Sequence, residues 1–361
     1  MHQKSFLFLL LFSLVSTFTY SQAKYSNEFL NIGVGGRAQG LGNAVIASVD
    51  DVTAGFWNPA GLAANASFEG LEVGAMHTEW FAGIGTYDYL GIILPFSNDK
   101  RRIGISAVRF GIDNIPNTLS LYESDGTVNF DNLSSFSAAD YAFLLSYAQE
   151  ISLNQGRLLV GGNIKVVHRR IGPFATSWGF GLDLGLQYWR NKWKFALVAR
   201  DVPSTFNGWS FDFTEDEREV LELTNNEIPI SNVEVTNPSF IFGIYRRFQT
   251  GKIGIAPELN WIVTTDGERN TLVSSSTFSM DPAFGIELDY SQFAFLRAGV
   301  NQFQELVDID GGTTTTARPS IGVGFKISNL KVDYAFSDLG AEDDTFSHII
   351  SLILRLKPKN K

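Results

Sequence analysis

Trp178-Gly179-Phe180-Gly181-Leu182-Asp183-Leu184-Gly185-Leu186-Gln187-Tyr188 alternates without a break. The even positions are all aromatic or aliphatic, and the odd ones are Gly, Asp or Gln. Successive side chains of a strand point to opposite faces, so one face of this segment is oily and the other small or polar. A strand of about ten residues with an aliphatic centre between aromatic ends fits the thickness and interfacial girdles of a lipid-facing barrel wall. A soluble β-sandwich has little use for aromatics at both ends.

The pattern recurs outward from that stretch. Ile253, Ile255, Leu259 and Trp261 alternate with Gly254, Glu258 and Asn260, and Phe284, Ile286, Leu288 and Tyr290 with Gly285, Glu287 and Asp289. Leu330, Val332, Tyr334 and Phe336 oppose Lys331, Asp333 and Ser337, and Phe346, Ile350, Leu352, Leu354 and Leu356 share a face of the last segment. Segments of this kind number about fourteen and begin near Gly70, Thr86, Arg102, Ser137, Arg157, Ser177, Lys192, Pro238, Lys252, Ala283, Gln292, Arg318, Leu330 and Thr345. The fold expected is all-β: a 14-stranded antiparallel transmembrane β-barrel. Tight turns at 98–100, 154–156, 190–191, 249–251, 290–291 and 328–329 alternate with longer loops near Trp80 and over 113–135, 171–175, 203–236, 264–280, 303–317 and 338–344, the asymmetry of an outer-membrane barrel. An even strand number puts both termini on the tight-turn, periplasmic side, with the long loops extracellular. Arg109 shares the parity of Ile103 and Ile105, which suggests a bulge.

Composition agrees. With 361 residues, 18% charged, Gly 34 and Phe 30, the chain is too apolar for disorder. Met1-His2-Gln3-Lys4, an apolar block from Phe6 to Phe18 and small residues before Gln22 read as a cleavable signal peptide over 1–21, too short to be a comfortable membrane anchor. The absence of cysteine excludes disulfides and lipidation at a cysteine, and a net charge of -10 argues against nucleic-acid partners.

Residues 22–65 are not strand-like, so the chain divides into signal peptide, a plug segment over 22–65 and a barrel over 66–361. The plug holds Asn31-Ile32-Gly33-Val34-Gly35-Gly36-Arg37-Ala38, Ser48-Val49-Asp50-Asp51-Val52-Thr53-Ala54 and Phe56-Trp57-Asn58-Pro59-Ala60-Gly61-Leu62. Asn-Pro-Ala-Gly-Leu after a Gly-rich stretch resembles the plug of the FadL-like, long-chain fatty acid transporter family, whose barrels have fourteen strands. The longer motif resembles the PorV/PorQ branch, part of the type IX secretion system of the Bacteroidota. The resemblance marks Gly35, Gly36, Arg37, Trp57, Asn58, Pro59 and Ala60 as the plug motif. It implies a protein-transport component that binds cargo signal domains and hands them on beside a translocon barrel. A lumenal plug must pair its buried polar groups, so Arg37 is expected to meet Asp183 or Glu287. Asn58-Pro59 is expected to turn the chain.

No catalytic, cofactor or metal site is legible. The Gly33–Ala38 run lacks the preceding strand of a dinucleotide site, the four histidines sit in no catalytic motif, and Asp308-Ile309-Asp310-Gly311-Gly312 lacks the closing Glu of a calcium loop, with Pro319 in its place. Asp338, Glu342, Asp343 and Asp344, like Asp212, Glu215, Asp216, Glu219, Glu222 and Glu227, read as solvated outer surface. Trp209, Phe211, Phe213, Glu217 and Leu221 combine aromatic and acidic character on an outer loop and are the candidate partner-binding surface.

Three functions compete. The first is the secretion component. The second is a channel for long-chain fatty acids or other hydrophobic molecules, for which Pro257 could open a lateral gap by removing a ladder hydrogen bond. The third is a porin without specific cargo. The inward positions Lys165, Asp183, Glu258, Glu287, Arg297, Lys331 and Asp333 argue for a polar lumen and against the second.

Overall fold

A computed structural model describes residues 26–65, 68–96, 100–121, 127–226, 228, 232–307, 312–338 and 346–357. The signal peptide, the acids at 342–344 and Glu227, and most of the 308–312 loop lie outside them.

The described residues form one antiparallel sheet that closes on itself, with Leu71 opposite Leu356 and Glu79 opposite His348 where the first strand meets the last. The closed wall has fourteen strands. They are β1 Leu71–Trp80, β2 Gly85–Pro95, β3 Arg101–Asn117, β4 Ser134–Leu153, β5 Gly156–Ile171 and β6 Ala175–Arg190. Strand β7 runs as Trp193–Arg200 and resumes as Thr205–Phe211; β8 comprises Asn232–Thr236, Ser239–Arg246 and Phe248–Thr250. Then come β9 Ile253–Thr264, β10 Ser279–Tyr290, β11 Ala294–Val307, β12 Thr313–Ile327, β13 Leu330–Asp338 and β14 Phe346–Leu356. Closure leaves no unpaired edge, which a wall in hydrocarbon requires.

Alternation decides which face meets lipid. On β6, Trp178, Phe180, Leu182, Leu184 and Leu186 are exposed, while Ser177, Asp183 and Gln187 are buried. The protein is thus inside out: its buried core is the lumen, and its oily surface faces outward as an outer-membrane barrel's must. No helix among the described residues is long and apolar enough to span a membrane.

Among the described residues the tight turns at 154–156, 190–191, 249–251, 290–291 and 328–329 fall where expected, on one rim; the turn at 98–100 lies mostly outside them. Two of the expected long loops are instead short turns, Phe81–Ile84 after β1 and Gly172–Phe174 after β5. Arg109 sits in continuous register opposite Tyr141, and the irregularity in the β3–β4 ladder comes later, between Ile112 and Ile115. Arg109 faces outward because it has partners there: Asp88 at 3.4 Å, which also meets His77 at 2.7 Å, on strands that end close to the outer rim. Pro257 opens no gap, since β9 and β10 pair continuously from Ile253–Tyr290 to Thr264–Ser279.

The wall is interrupted elsewhere. Arg200 pairs with Ser239 and Thr205 with Thr236, so four residues on β7, Asp201–Ser204, face two on β8, Asn237 and Pro238, with no ladder between them. The β6 side of the break stays tied, because the Val202 N–H donates to the Leu182 carbonyl at 2.8 Å.

Candidate functional site

The plug over 26–65 has only short helical turns, at Glu28–Asn31, Gly36–Gln39, Ala54–Trp57 and Pro59–Asn65. Such a chain cannot satisfy its own backbone, and a buried unpaired amide or carbonyl costs about 1–3 kcal/mol. The wall supplies the partners. Glu258 accepts from the Ala47 N–H (2.7 Å) and Glu72 from the Val52 N–H (2.6 Å). Gln187 donates to the carbonyls of Ile46 (3.0 Å) and Val49 (3.1 Å), Asn163 to that of Gly55 (2.8 Å), and the Tyr89 hydroxyl to that of Val52 (2.8 Å). Ser320 and Ser351 accept from the Gly42 and Gly36 N–H groups.

The inward glycines of the strands make room for this contact. A Cβ on Gly185 would lie 2.1 Å from Asn58 Oδ1, and one on Gly299 would lie 2.1 Å from the Gly42 nitrogen.

The plug motif is spread through this joint. Gly36 is caught between Ser351 and the Asp333 backbone. Gly35 holds a positive φ of 90°. Arg37 meets Glu287 at 3.2 Å rather than Asp183. Glu287 also meets Arg297 at 2.7 Å, and Arg297 meets Asp333 at 2.7 Å, so two guanidinium groups and two carboxylates compensate one another. Burial opposes the charge on Arg37, but Glu287, Asp50 and Asp51 outweigh it and hold its pKa above the ordinary arginine value. The Trp57 indole donates to the Val34 carbonyl at 2.8 Å. Asn58 is no surface turn: it is fully buried and clamps the carbonyls of Ile46 (2.9 Å) and Leu186 (3.1 Å), while its Oδ1 accepts from the Ala60 N–H (3.2 Å).

Both ends of the barrel wall lie at the tight-turn rim, but Ser26 does not. Its hydroxyl meets Thr236 at 2.7 Å and Asn207 at 3.4 Å, and Glu28 meets Arg269 of the 265–278 loop at 3.2 Å. From Ser26, in the outer half of the lumen, the plug descends to the periplasmic rim, where Arg157 donates to the Ala64 carbonyl at 2.9 Å.

Among the described residues two larger cavities flank the plug, one on each side. The outer one, about 280 Å³, has an apolar floor of Ile46, Phe56, Trp57, Leu144, Ile241 and Ile262. The lumen is therefore not uniformly polar, because inward Leu144, Val108, Leu159, Val198 and Ile241 are buried as well. Beside the floor Arg200 lies 5.3 Å from the Phe56 ring centre and 5.7 Å from that of Trp57, and donates to the Phe56 carbonyl at 3.3 Å. Among the described residues no carboxylate lies within 4 Å of it. Asp183 and Asp201, which line the same cavity, are taken by Lys165 at 3.0 and 2.7 Å. Asp201 and Asn237, at the wall break, border this cavity too. Sequence reading missed Arg200 and the break: Asp201-Val202-Pro203 and Asn237-Pro238 carry turn chemistry and bound the expected loop over 203–236, whereas the wall resumes inside it as Thr205–Phe211 and Asn232–Thr236.

The candidate outer-loop residues fall into an aromatic stack and a following helix. Trp209 and Phe211 belong to β7; their rings stack at 6.1 Å, and Phe211 continues to Phe213 at 6.5 Å and Phe213 to Phe174 at 5.7 Å. Trp209 donates to Glu234 at 2.7 Å. Glu217 closes a capping box with Thr214 at the start of helix α1, Glu215–Leu223, and Leu221 lies on that helix. No cluster of His, Asp or Glu among the described residues is placed to hold a metal ion.

No protein-family model matches the chain, and no curated protein does. Among solved structures the fold is shared with the CymD monoaromatic hydrocarbon channel, at 14% identity and a TM-score of 0.54, over 91% of this chain and 99% of that one. The Pseudomonas putida toluene transporter TodX is similar at 11% identity and a TM-score of 0.53, over 90% and 97% of the two chains. At such identities the likeness is one of fold. It agrees with the FadL-like barrel resemblance of the sequence and does not reach the PorV/PorQ branch.

Proposed function

We propose that this barrel is a plugged outer-membrane channel that takes up a small hydrophobic or amphipathic molecule from the cell exterior. The observation that carries this reading is the outer cavity, where an apolar floor, a guanidinium without a carboxylate and a break in the wall come together. Its volume of about 280 Å³ is just under the roughly 300–1,000 Å³ typical of ligand pockets, which suits a medium-chain carboxylate or small aromatic better than a whole long-chain fatty acid. The hydrocarbon channels that share the fold support the class of substrate. The test is quenching of tryptophan fluorescence by decanoate and by toluene in the purified protein. Decanoate is expected to bind, with Arg200→Gln weakening it about tenfold and leaving toluene unchanged; no saturable binding of either ligand overturns the reading.

A second reading, cargo binding for type IX secretion, is favoured by the stacked shelf of Trp209, Phe211 and Phe213 beside α1 and by the plug resemblance. In that case the mature protein pulled from native outer membrane brings down a translocon barrel or signal-domain proteins, and its deletion strands such proteins in the periplasm. Normal secretion from the deletion strain removes it.

A further inference from the structure

The second cavity, about 500 Å³, lies beneath the plug and reaches the tight-turn rim at Asn191, Lys192 and Gln292. Its lining is crowded with cations, most of which are compensated. Arg37 and Arg297 share Glu287 and Asp333, Arg247 holds Asp289 at 2.6 Å, Arg355 is paired with Glu72, and Lys331 lies 3.7 Å from Asp51. Lys192, Lys194 and Lys326 line the same space, and among the described residues none has a carboxylate within 4 Å. Asp50 is the one lining acid without an ion-pair partner at that distance.

Lys194 is seated with its ammonium 3.8 Å from the ring centre of Trp189 and 5.1 Å from that of Tyr245. Aromatic faces attract a cation and hold it in place, but they do not neutralise it. In a chain of formal charge -10, with an acidic helix on the opposite rim, this positive basin is a local reversal of the molecule's field.

We propose that the periplasmic vestibule binds an oxyanion of the phosphate class, held by Lys194 and Lys326 with Lys192 at its entrance. Lysine binds phosphate as a point charge from several directions, and the space exceeds that of one phosphate, leaving room for what it is esterified to. The source is either soluble phosphate or a phospholipid headgroup of the inner leaflet, whose glycerol would lie at the rim.

Isothermal titration of the full-length mature barrel in zwitterionic detergent separates the two, using inorganic phosphate in one arm and dihexanoyl phosphatidylglycerol below its micelle concentration in the other. Saturable binding in either arm, weakened at least tenfold by K194Q/K326Q and unaltered by K252Q on a neighbouring turn, supports the site; the arm that binds names the source. Heat-modifiable gel mobility checks that the double variant folds, and K326Q alone, which leaves the aromatic seat intact, is expected to lose part of the affinity if it does not. Absence of saturable binding in both arms, or unchanged affinity in the variants, overturns the proposal.

Discussion

Replacing Asn58 by alanine tests whether the plug is held by the bonds described above. Asn58 is 0% exposed, and the substitution removes two donated bonds, to Ile46 and Leu186, and one accepted from Ala60. The Ile46 carbonyl keeps Gln187 at 3.0 Å, so that loss is partly cushioned. Local opening of the plug breaks its internal bonds to Ile46 and Ala60 as well as the wall bond to Leu186, so at about 1 kcal/mol net for each neutral hydrogen bond the closed state loses about 3 kcal/mol. With a tenfold change for every 1.4 kcal/mol or so, the open fraction rises roughly a hundredfold. The barrel loses one contact, at the Leu186 carbonyl of β6, and keeps its strand pairings.

The absence of cysteine makes this measurable. Ala63, 0% exposed on the same plug segment, accepts a cysteine with little change in volume. When closing is faster than labelling, the maleimide reaction rate follows the open population. Asn58→Ala in the Ala63→Cys background is therefore expected to label roughly a hundred times faster while its heat-modifiable folded band persists. A change under about threefold, with the barrel still folded, would show that the Asn58 clamp does not hold the plug.

Glu287→Gln leaves Arg37 and Arg297 with a neutral amide between them, and is expected to lower stability to urea by about 3–5 kcal/mol, as for breaking a buried pair. Asp88→Asn in the exposed His77–Asp88–Arg109 cluster is expected to cost under about 1 kcal/mol; equal effects at the two places would contradict their assignment to lumen and exterior. Leu182→Lys, in the middle of the outward face of β6, is expected to cost about 2–4 kcal/mol in a bilayer folding titration, and a neutral result would mean that this face does not meet lipid.

What could be read from the sequence was whatever depends on alternation alone. Trp178 to Tyr188 gave its two faces directly, and the tight turns marked one rim because each needs turn residues at a fixed place. Arg109 misled because an outward charge breaks the pattern, and its partners Asp88 and Thr86 lie on another strand. The loops after β1 and β5 are shorter than expected because Trp80 and Ile171 still belong to their strands. Helix α1 had a legible signal in Thr214-Glu215-Asp216-Glu217, a capping box that was read as mere acidic surface. The inward apolar residues that meet the plug could not be separated from outward ones by parity once a strand such as β7 is interrupted. The route of the plug from outer mouth to inner rim depends on long-range bonds such as Glu28–Arg269, and no local pattern encodes those.

Those bonds also bear on how a ligand held above the plug would leave on the proposed reading. Passage straight down would unseat the plug from Glu258, Glu72, Gln187, Asn163 and Tyr89 together, at about 0.5–1.5 kcal/mol for each bond and more wherever a buried group is left unpaired. It would then deliver the molecule into a cationic vestibule that can receive a carboxylate head but suits an apolar body poorly. The break between Asp201–Ser204 and Asn237-Pro238 borders the outer cavity, already lacks its ladder bonds, and faces the apolar exterior. Sideways exit breaks none of the plug's contacts and takes an apolar body directly into hydrocarbon. The plug on this account is a fixed floor, and Asn58→Ala should open a leak for small ions without speeding uptake of the hydrophobic ligand.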